Sequence, residues 1–284
     1  IHSAGALVHE TAHRLIFRGR VTKLLFDLGL EFILASYGRQ LTYQIDHVAS
    51  HHPHLGDYMG DYEFEDACHA GARRKLRIEN PLMSKLLNGL TLLLHGLPLG
   101  FILSDLIMPR LLKQNSGTGV RDKQRQWRKR HVSVNLRLLF IAVSVISNLT
   151  LALAVGWLGL LYHVWALSLF LGKLGVTNLG QSLSEHEGDN LERPTFSDYG
   201  LLNFILFNTG YHNEHHTFPA VPWHRLPALR AAAPDVFCNE NPKSYVALWW
   251  DHVLGGFTET RANPLVATLT PESCAEPEPP RAPS

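Results

Sequence analysis

Cysteine is scarce in this chain: its 284 residues include only three, at positions 68, 238 and 274. They are far apart and form no CxxC pair, which excludes a disulfide-rich scaffold and a cysteine-based metal site. This usage is typical of a reducing compartment. Neither sign of charge is in clear excess, since the net charge is +1 and 18% of residues are charged. The length allows one large domain or two small ones.

The first residues are not predicted to form a signal peptide. The chain begins with Ile1 rather than methionine, and no basic segment followed by an apolar core is present. We expect residues 1–8 to be the last turns of a helix whose beginning precedes this sequence. Residues 270–284 are rich in Pro, Glu and Ala and are expected to form a disordered tail. The prediction is one domain over residues 1–269.

Charged residues are absent from residues 138–172, a stretch too long for one soluble core helix. It predicts two short membrane-spanning helices, each about 25 Å long, joined by a tight turn near Gly156 and Gly159. We expect this hydrophobic hairpin to occupy about residues 138–178. Trp157 and Trp165 lie near the turn, where they are plausible interface anchors.

Two other apolar segments are interrupted by polar residues. Residues 24–37 contain Asp27 and Glu31, a pattern that favours an interfacial amphipathic helix over a span. Residues 86–107 are expected to form a half-buried segment that partly re-enters the membrane. Residues 56–66 are acidic and aromatic, and they predict a loop.

A basic run precedes the hairpin and sets its expected orientation. Residues 108–137 carry nine Lys and Arg side chains against a single acid, Asp122. A short basic loop beside a span is cytoplasmic by the positive-inside rule. Binding to nucleic acid is the alternative, but a basic run next to a hydrophobic hairpin is more typical of a membrane protein. All the histidine groups described next can then share the cytoplasmic side.

Histidine is abundant, with 17 residues, and many fall into groups. On a helix, His212, His215 and His216 leave one face, because they stand at i, i+3 and i+4. His9 and His13 at i and i+4 can hold one metal together. The candidate metal ligands are His9, His13, His47, His51, His52, His186, His212, His215 and His216. Eight or nine imidazoles are too many for one metal and suit two. Imidazole binds Zn, Fe, Cu and Ni, so the spacing does not select the metal.

Polar residues beside these histidines are candidate hydrogen-bond partners of the ligands. Metal-bound histidine commonly donates its other N–H to a carboxylate or carbonyl group. The candidates are Glu10, Asp46, Glu185, Asn213 and Glu214. No catalytic residue is predicted beyond the metal ligands. A soluble carboxylate di-iron bundle would need two Glu-x-x-His motifs, and only Glu10 with His13 has that spacing.

Three motifs resemble the histidine boxes of membrane fatty acid desaturases and hydroxylases. These are His9-E-T-A-His13, the box from His47 to His52, and Tyr211-His212-N-E-His215-His216. The sequence is most similar to sphingolipid Δ4-desaturases (dihydroceramide desaturases). That likeness lies in Ser184-Glu185-His186, in Asp198-Tyr199-Gly200 with Leu202-Asn203, and in the segment from Phe207 to Pro219. The resemblance spans about residues 9 to 230.

The resemblance implies an all-α integral membrane protein with four spans, of which the first hairpin is absent from this sequence. Cytosolic regions 9–80 and 180–260 would form a helical cap that holds two irons. The implied reaction uses O₂ to desaturate a lipid acyl or sphingoid chain, in the endoplasmic reticulum or the bacterial inner membrane. No flavin, haem or Fe–S motif is present, so electrons would come from a carrier such as cytochrome b5 or ferredoxin. We expect the carrier to dock on the basic 110–130 face.

The second box departs from the family pattern His-x-x-His-His, because it is one residue longer. In a regular helix His47 would point about 140° away from His52. Ligation by His47 therefore requires a wide turn before His51. Alkane hydroxylases of the superfamily use this longer box, and residues 222–227 look like part of carotenoid ketolases. A hydroxylase or ketolase of a lipid, alkane or carotenoid is thus the alternative. A zinc-dependent membrane hydrolase and a metal-carrying protein without catalysis are more distant.

Overall fold

The computed structural model describes residues 1–55, 61, 82–83, 86, 90, 97, 120–172, 175–186, 195–241 and 243–255. These residues form helices and no strands, with two isolated bridges, so the predicted all-α class is confirmed for them. The helices are α1 (His2–Ala12), α2 (Arg20–Leu34), α3 (Arg39–Asp46), a π-helical turn (His47–His51), α4 (Val120–His131), α5 (Val134–Leu171), α6 (Val176–Glu185), α7 (His212–Thr217), α8 (Leu226–Ala232) and α9 (Tyr245–Gly255). Short 3₁₀ turns occur at Leu201–Phe204 and Trp223–Arg225.

Helix α5 is a hairpin rather than one straight rod. Its backbone is non-helical at Gly156, where φ is 76° and ψ is 176°. Ser144 in the first arm accepts a hydrogen bond from the N–H of Tyr37 (2.9 Å). Leu171 at the end of the second arm packs against the apolar cluster that contains Leu34. A continuous helix would hold residues 144 and 171 about 40 Å apart, so the chain must fold back between them. The turn predicted near Gly156 is present.

The apolar stretch Val134–Glu185, which includes α5, is long and apolar enough to cross a membrane, judged by length and composition. It is the one such stretch among the described residues. The four predicted spans are therefore not demonstrated by this part of the chain. The predicted re-entrant segment 86–107, the acidic loop 56–66 and the tail 270–284 lie outside the described residues, apart from isolated positions.

Helix α2 has its polar side inside and its apolar side outside. Val21 and Leu25 are exposed, whereas Asp27 and Glu31 are buried. This arrangement suits the predicted interfacial helix, because an apolar outer face can meet lipid.

Hydrogen bonds to both acids explain why α2 turns them inward. Asp27 accepts from Thr11 (2.5 Å), Lys23 (2.5 Å) and Gln44 (3.3 Å). Glu31 is completely buried and accepts from Ser36 (2.8 Å), the N–H of Gly38 (3.0 Å), Gln40 (2.7 Å) and Ser144. A buried carboxylate is tolerated only when its oxygens are satisfied in this way. The two acids therefore tie α2 to α1, α3 and α5.

Two small apolar clusters hold the helices around the site. One contains Ala4, Val8, Leu30 and Leu34, with Leu171 from the second arm of α5 packed against it. The other contains Leu41, Val132 and Phe140. Together they fix the ends of α1 and α3 against the base of the hairpin, which brings the first two histidine boxes close to each other.

Cys238 takes part in a disulfide bond. The other two cysteines lie outside the described residues. The sequence predicted no disulfide-rich scaffold, and three cysteines allow one crosslink at most, but the bond itself was not expected for a chain of a reducing compartment.

Candidate metal centre

Eight histidines form two groups of four. The first cluster contains His9, His13, His47 and His215, and the second cluster contains His51, His186, His212 and His216. In each cluster, one ring nitrogen from every residue lies within 4.8 Å of the others. Four imidazoles that converge on a point match the ligand number of a metal site.

The ninth predicted ligand, His52, lies between the two clusters. Its Nε2 atom is 3.1 Å from Nε2 of His47 and 3.2 Å from Nε2 of His215. Its ring also stacks on His216, with the centroids 4.3 Å apart. The structure therefore brings all nine predicted residues together, and His52 extends the first cluster toward the second.

The π-helical turn at His47–His51 brings His47 into the first cluster. In a π-helix the hydrogen bond spans five residues, and here the N–H of His52 donates to the carbonyl of His47 at 3.1 Å. His47 and His52 consequently return to one face, as residues i and i+4 do in an α-helix. This is the wide turn that the sequence required for His47 to act as a ligand.

Helical spacing distributes the other predicted ligands between the clusters. In α7, His212 and His216 are four residues apart and both enter the second cluster, while His215 enters the first. Adjacent His51 and His52 also diverge toward different clusters, as expected for neighbours on a helix. His9 and His13 reach the first cluster from the end of α1.

Burial keeps the imidazoles neutral. It lowers the pKa of His52 to about 3, with a smaller effect from the neighbouring histidines. The same two causes, with burial the larger, lower the pKa of His47 and His212 well below the usual value of 6.5. They act likewise on the pKa of His215 and His216. Only a neutral imidazole has a lone pair for a metal, so these rings are in the form that binds one.

The nitrogen geometry fits a metal in each cluster. The Nε2 atoms of His51 and His216 are 3.2 Å apart, and those of His186 and His212 are 2.9 Å apart. Two ligands at right angles on a metal, with bonds of about 2.1 Å, lie about 3.0 Å apart. An N–H···N hydrogen bond can explain the contact within each pair, but it does not require all four nitrogens to lie within 4.8 Å of one another, as they do here. His13 also has a buried Nε2 without a hydrogen-bond partner.

Three carboxylates contact ligand rings. Glu10 lies 3.2 Å from Nδ1 of its sequence neighbour His9, whereas Glu185 lies 3.5 Å from Nδ1 of His212 rather than of its neighbour His186. Asp61 was missed: it is completely buried, and its Oδ2 is 2.7 Å from Nδ1 of His51. Such contacts orient a ligand ring and set its tautomer. The only signal for Asp61 was its place in an acidic segment a few residues after the second box.

The other predicted partner residues support the surrounding chain. Asp46 forms an ion pair with Arg128 of α4 (2.6 Å). Asn213 accepts a hydrogen bond from Thr195 (2.9 Å). Glu214 is completely buried and accepts from the hydroxyl groups of Ser197 (2.7 Å) and Tyr199 (2.6 Å). Burial, followed by the hydrogen bond to Glu214, raises the pKa of Tyr199, so its hydroxyl remains a donor.

A cavity of about 530 Å³ connects the clusters to the hairpin. One part of its wall contains histidines of both clusters, among them His47 and His186. Another part contains apolar residues of α5, including Leu167 and Phe170. This volume is within the usual range for a small-molecule site. An apolar chain can therefore extend from the hairpin to the histidines.

The third box depends on a glycine just before it. A Cβ atom at Gly210 would lie 2.2 Å from the carbonyl oxygen of Asp198 and 2.4 Å from the side chain of Asn203. We expect Gly210→Ala to destabilise the protein by about 1–3 kcal/mol, because the backbone has to move to avoid the clash. A lower melting temperature of the detergent-purified protein would report this effect.

Gly29 provides the matched control for that substitution. A Cβ atom at Gly29, on the exposed face of α2, would meet nothing within 4 Å. We expect Gly29→Ala to be neutral or stabilising, because alanine favours a helix. Equal melting temperatures for the two variants would contradict the role of Gly210.

The helices, the apolar hairpin and the clustered imidazoles define a class of helical protein with a histidine-rich core, suited to holding metal, beside an apolar cavity. The chain belongs to the fatty acid desaturase family, whose family model matches residues 1–249. This match confirms the resemblance that the histidine boxes indicated.

Several curated proteins are similar to part of the chain. A sphingolipid delta(4)-desaturase DES1-like protein of Oryza sativa subsp. japonica is 40% identical over 99 residues, covering 35% of this chain and 28% of the relative. Sphingolipid delta(4)-desaturase DES1 of Drosophila melanogaster is 38% identical over 102 residues, covering 36% and 31%. The sphingolipid delta(4)-desaturase/C4-monooxygenase DES2 of Homo sapiens is 42% identical over 88 residues, covering 30% and 27%. The chain thus spans less than a third of each of these relatives. No solved structure matches the chain.

Proposed function

We propose that this chain is part of a membrane-bound oxidoreductase that uses O₂ to desaturate a lipid acyl or sphingoid chain. The observation that carries the proposal is the pair of histidine clusters beside a cavity that reaches the apolar hairpin. Family membership and the similarity to sphingolipid desaturases support the same reaction. One domain over residues 1–269 would hold the site.

Two irons would be held by the nine imidazoles. His9, His13, His47, His52 and His215 would bind one, and His51, His186, His212 and His216 the other. When bound, the irons supply the capacity to activate O₂ for removal of hydrogen from a C–H bond. Glu10, Asp61 and Glu185 hold the rings of His9, His51 and His212 in orientation through the contacts described above.

The cavity would position the substrate chain. Leu167 and Phe170 contribute apolar surface next to the hairpin, which favours entry of a hydrocarbon chain from the bilayer. Their apolar side chains also exclude water from the part of the chain that lies near the histidines. The polar group of the lipid would remain at the more polar wall, where Arg39 and Gln40 lie.

Mass spectrometry of lipids from cells with and without the protein tests this reaction. Desaturation removes two hydrogens, so we expect a product about 2 Da lighter than a lipid that accumulates in its absence. The product should disappear when O₂ is withheld. A lipidome unchanged by expression of the active protein would contradict the proposal.

Hydroxylation is the second candidate reaction. The names of the human and Caenorhabditis elegans relatives combine desaturase with C4-monooxygenase. The longer second box, in which the π-helical turn accommodates an extra residue, is also the form that resembles alkane hydroxylases. A product about 16 Da heavier than its precursor would favour this reaction, or a ketolase if further oxidation followed. Two zinc ions and no O₂ uptake would instead favour a hydrolase.

An electron carrier such as cytochrome b5 or ferredoxin would dock on α4. Arg125, Lys129 and Arg130 are exposed on this helix. The same helix contacts the site, because Arg128 pairs with Asp46, the residue before His47. A basic surface attracts an acidic carrier. The positive-inside rule places such a basic segment, and with it the site, on the cytoplasmic side.

Charge on α4 should therefore control the rate of electron delivery. We expect the double variant Lys129→Glu, Arg130→Glu to slow turnover by roughly tenfold at low salt, because steering depends on charge. Raising the salt concentration should slow the unmodified protein and narrow this difference. Turnover with the reduced carrier measures both effects.

The double variant Arg18→Glu, Arg20→Glu is the matched control, since both arginines are exposed where α1 connects to α2. It changes the net charge without altering α4. Rates independent of salt, or an equal loss in the control variant, would contradict docking on α4.

A further inference from the structure

Residues 199–212 contain no charged side chain, and apolar residues in this segment point outward. Leu201 is 98% exposed and Phe204 is 89% exposed, and Ile205 is about half exposed. A loop on a water-facing surface is normally polar, and contiguous exposed apolar residues mark a binding surface. A loop that faced only water would therefore not be expected to expose these apolar side chains.

Hydrogen bonds close the neck of the loop and hold its tip outward. The N–H of Asp198 donates to the carbonyl of Gly210 (2.8 Å). The side chain of Asn203 donates to the carbonyl of Asp198 (2.5 Å) and accepts from the N–H of Gly210 (2.8 Å). Leu206 is buried beneath the turn. The exposed residues are thus displayed by a fixed backbone.

The turn lies near the end of the hairpin. Leu201 and Leu202 line a small cavity together with Tyr245. The ring of Tyr245 contacts the ring of His2, with the centroids 6.3 Å apart, and His2 stacks on Phe170 at 6.0 Å. Phe170 belongs to the last turn of α5. Two aromatic contacts therefore connect the turn to the point where the apolar hairpin ends.

We propose that residues 201–205 form a membrane wedge, which inserts into the bilayer beside the hairpin. Leucine, phenylalanine and isoleucine favour the hydrocarbon region, and no charge in the segment opposes their entry. The neck residue Gly210 is two positions before His212, so insertion would also hold the third histidine box at a fixed depth. This inference rests on the proposal that α5 spans the membrane.

Photocrosslinking of the full chain in phosphatidylcholine nanodiscs tests the wedge. Benzoylphenylalanine would replace Phe204, or Leu201 as a second reporter. Leu153, 88% exposed in the hairpin, is the membrane reference, and Val236, exposed between α8 and α9, is the reference away from the membrane. We expect lipid adducts at position 204 in a yield within about threefold of position 153 and at least about tenfold above position 236, because an inserted side chain is surrounded by lipid.

The reference positions separate the possible failures. Adducts at 153 but neither at 204 nor at 201 would overturn the wedge and leave the spanning hairpin intact. Crosslinks from 204 to this chain, to a second copy or to another protein in place of lipid would also overturn it. An absence of lipid adducts at 153 would overturn the membrane proposal together with the wedge. None of these outcomes depends on catalytic activity.

Discussion

His216→Ala is expected to abolish turnover and to remove one of two irons. His216 lies in the second cluster, 3.2 Å from His51 between Nε2 atoms, and its ring also stacks on His52. Loss of a partner that only orients a metal ligand typically lowers activity 10–100-fold, so loss of a ligand should lower it by more than about 100-fold. Metal analysis and lipid turnover of the same purified preparation would measure both effects.

His224→Ala is the control for that variant. His224 is exposed, lies a few residues after the third box and belongs to neither cluster. It should retain both irons and normal turnover. Full iron content together with turnover in His216→Ala would show that the second cluster does not bind metal as we propose.

His47→Ala is expected to remove the iron of the first cluster and, with it, activity. The π-helical turn directs His47 to the same cluster as His9 and His215, with ring centroids 4.6 Å and 6.0 Å away. The loss of turnover should again exceed about 100-fold, as for a ligand and unlike an exposed histidine. Iron content per chain separates this result from a general loss of activity.

Deletion of Ala49 tests whether His47 serves as a ligand because of the direction that the π-helical turn gives it. Ala49 is exposed within the π-helical turn, and removing one residue should convert the turn to regular α-helix. The box then becomes His-x-x-His-His, the family pattern, and His47 should keep its direction. We expect this deletion to retain both irons, whereas His47→Ala loses one. Retention of both irons by His47→Ala would remove His47 from the ligand set.

His54→Ala is the matched control in the second box. His54 is exposed and lies two residues after His52, outside both clusters. Its replacement should leave metal content and turnover unchanged. A loss equal to that of His47→Ala would show that the region is sensitive to any substitution rather than dependent on one ligand.

Local spacing predicted which histidines meet, because an α-helix fixes which side chains share a face. The spacing in α1 and α7 predicted that these histidines would converge, but not that His215 enters a different cluster from His212 and His216. The extra residue between His47 and His51 required a wide turn, and the structure contains one. The absence of charge over residues 138–172, interrupted by Gly156, likewise predicted the hairpin and its turn.

Tertiary contacts decided what local patterns could not. Asp27 and Glu31 favoured an interfacial amphipathic helix, but the sequence did not indicate that both acids are buried. They point inward because Thr11, Gln44 and Ser144 supply donors from other helices. Asp61 is one of several acids in an acidic segment, and only the folded chain brings it to His51. The division of the ligands into two clusters also depends on how α1, α6 and α7 meet.

The metal content of the protein purified from membranes tests the central claim most directly. Elemental analysis of the unmodified chain should find two irons per chain, and His47→Ala and His216→Ala should each retain about one, because each variant removes a ligand from a different cluster. Two irons in the unmodified chain and one in each variant would support the two-cluster assignment. A single metal per chain, or zinc in place of iron with no dependence on either histidine, would contradict it.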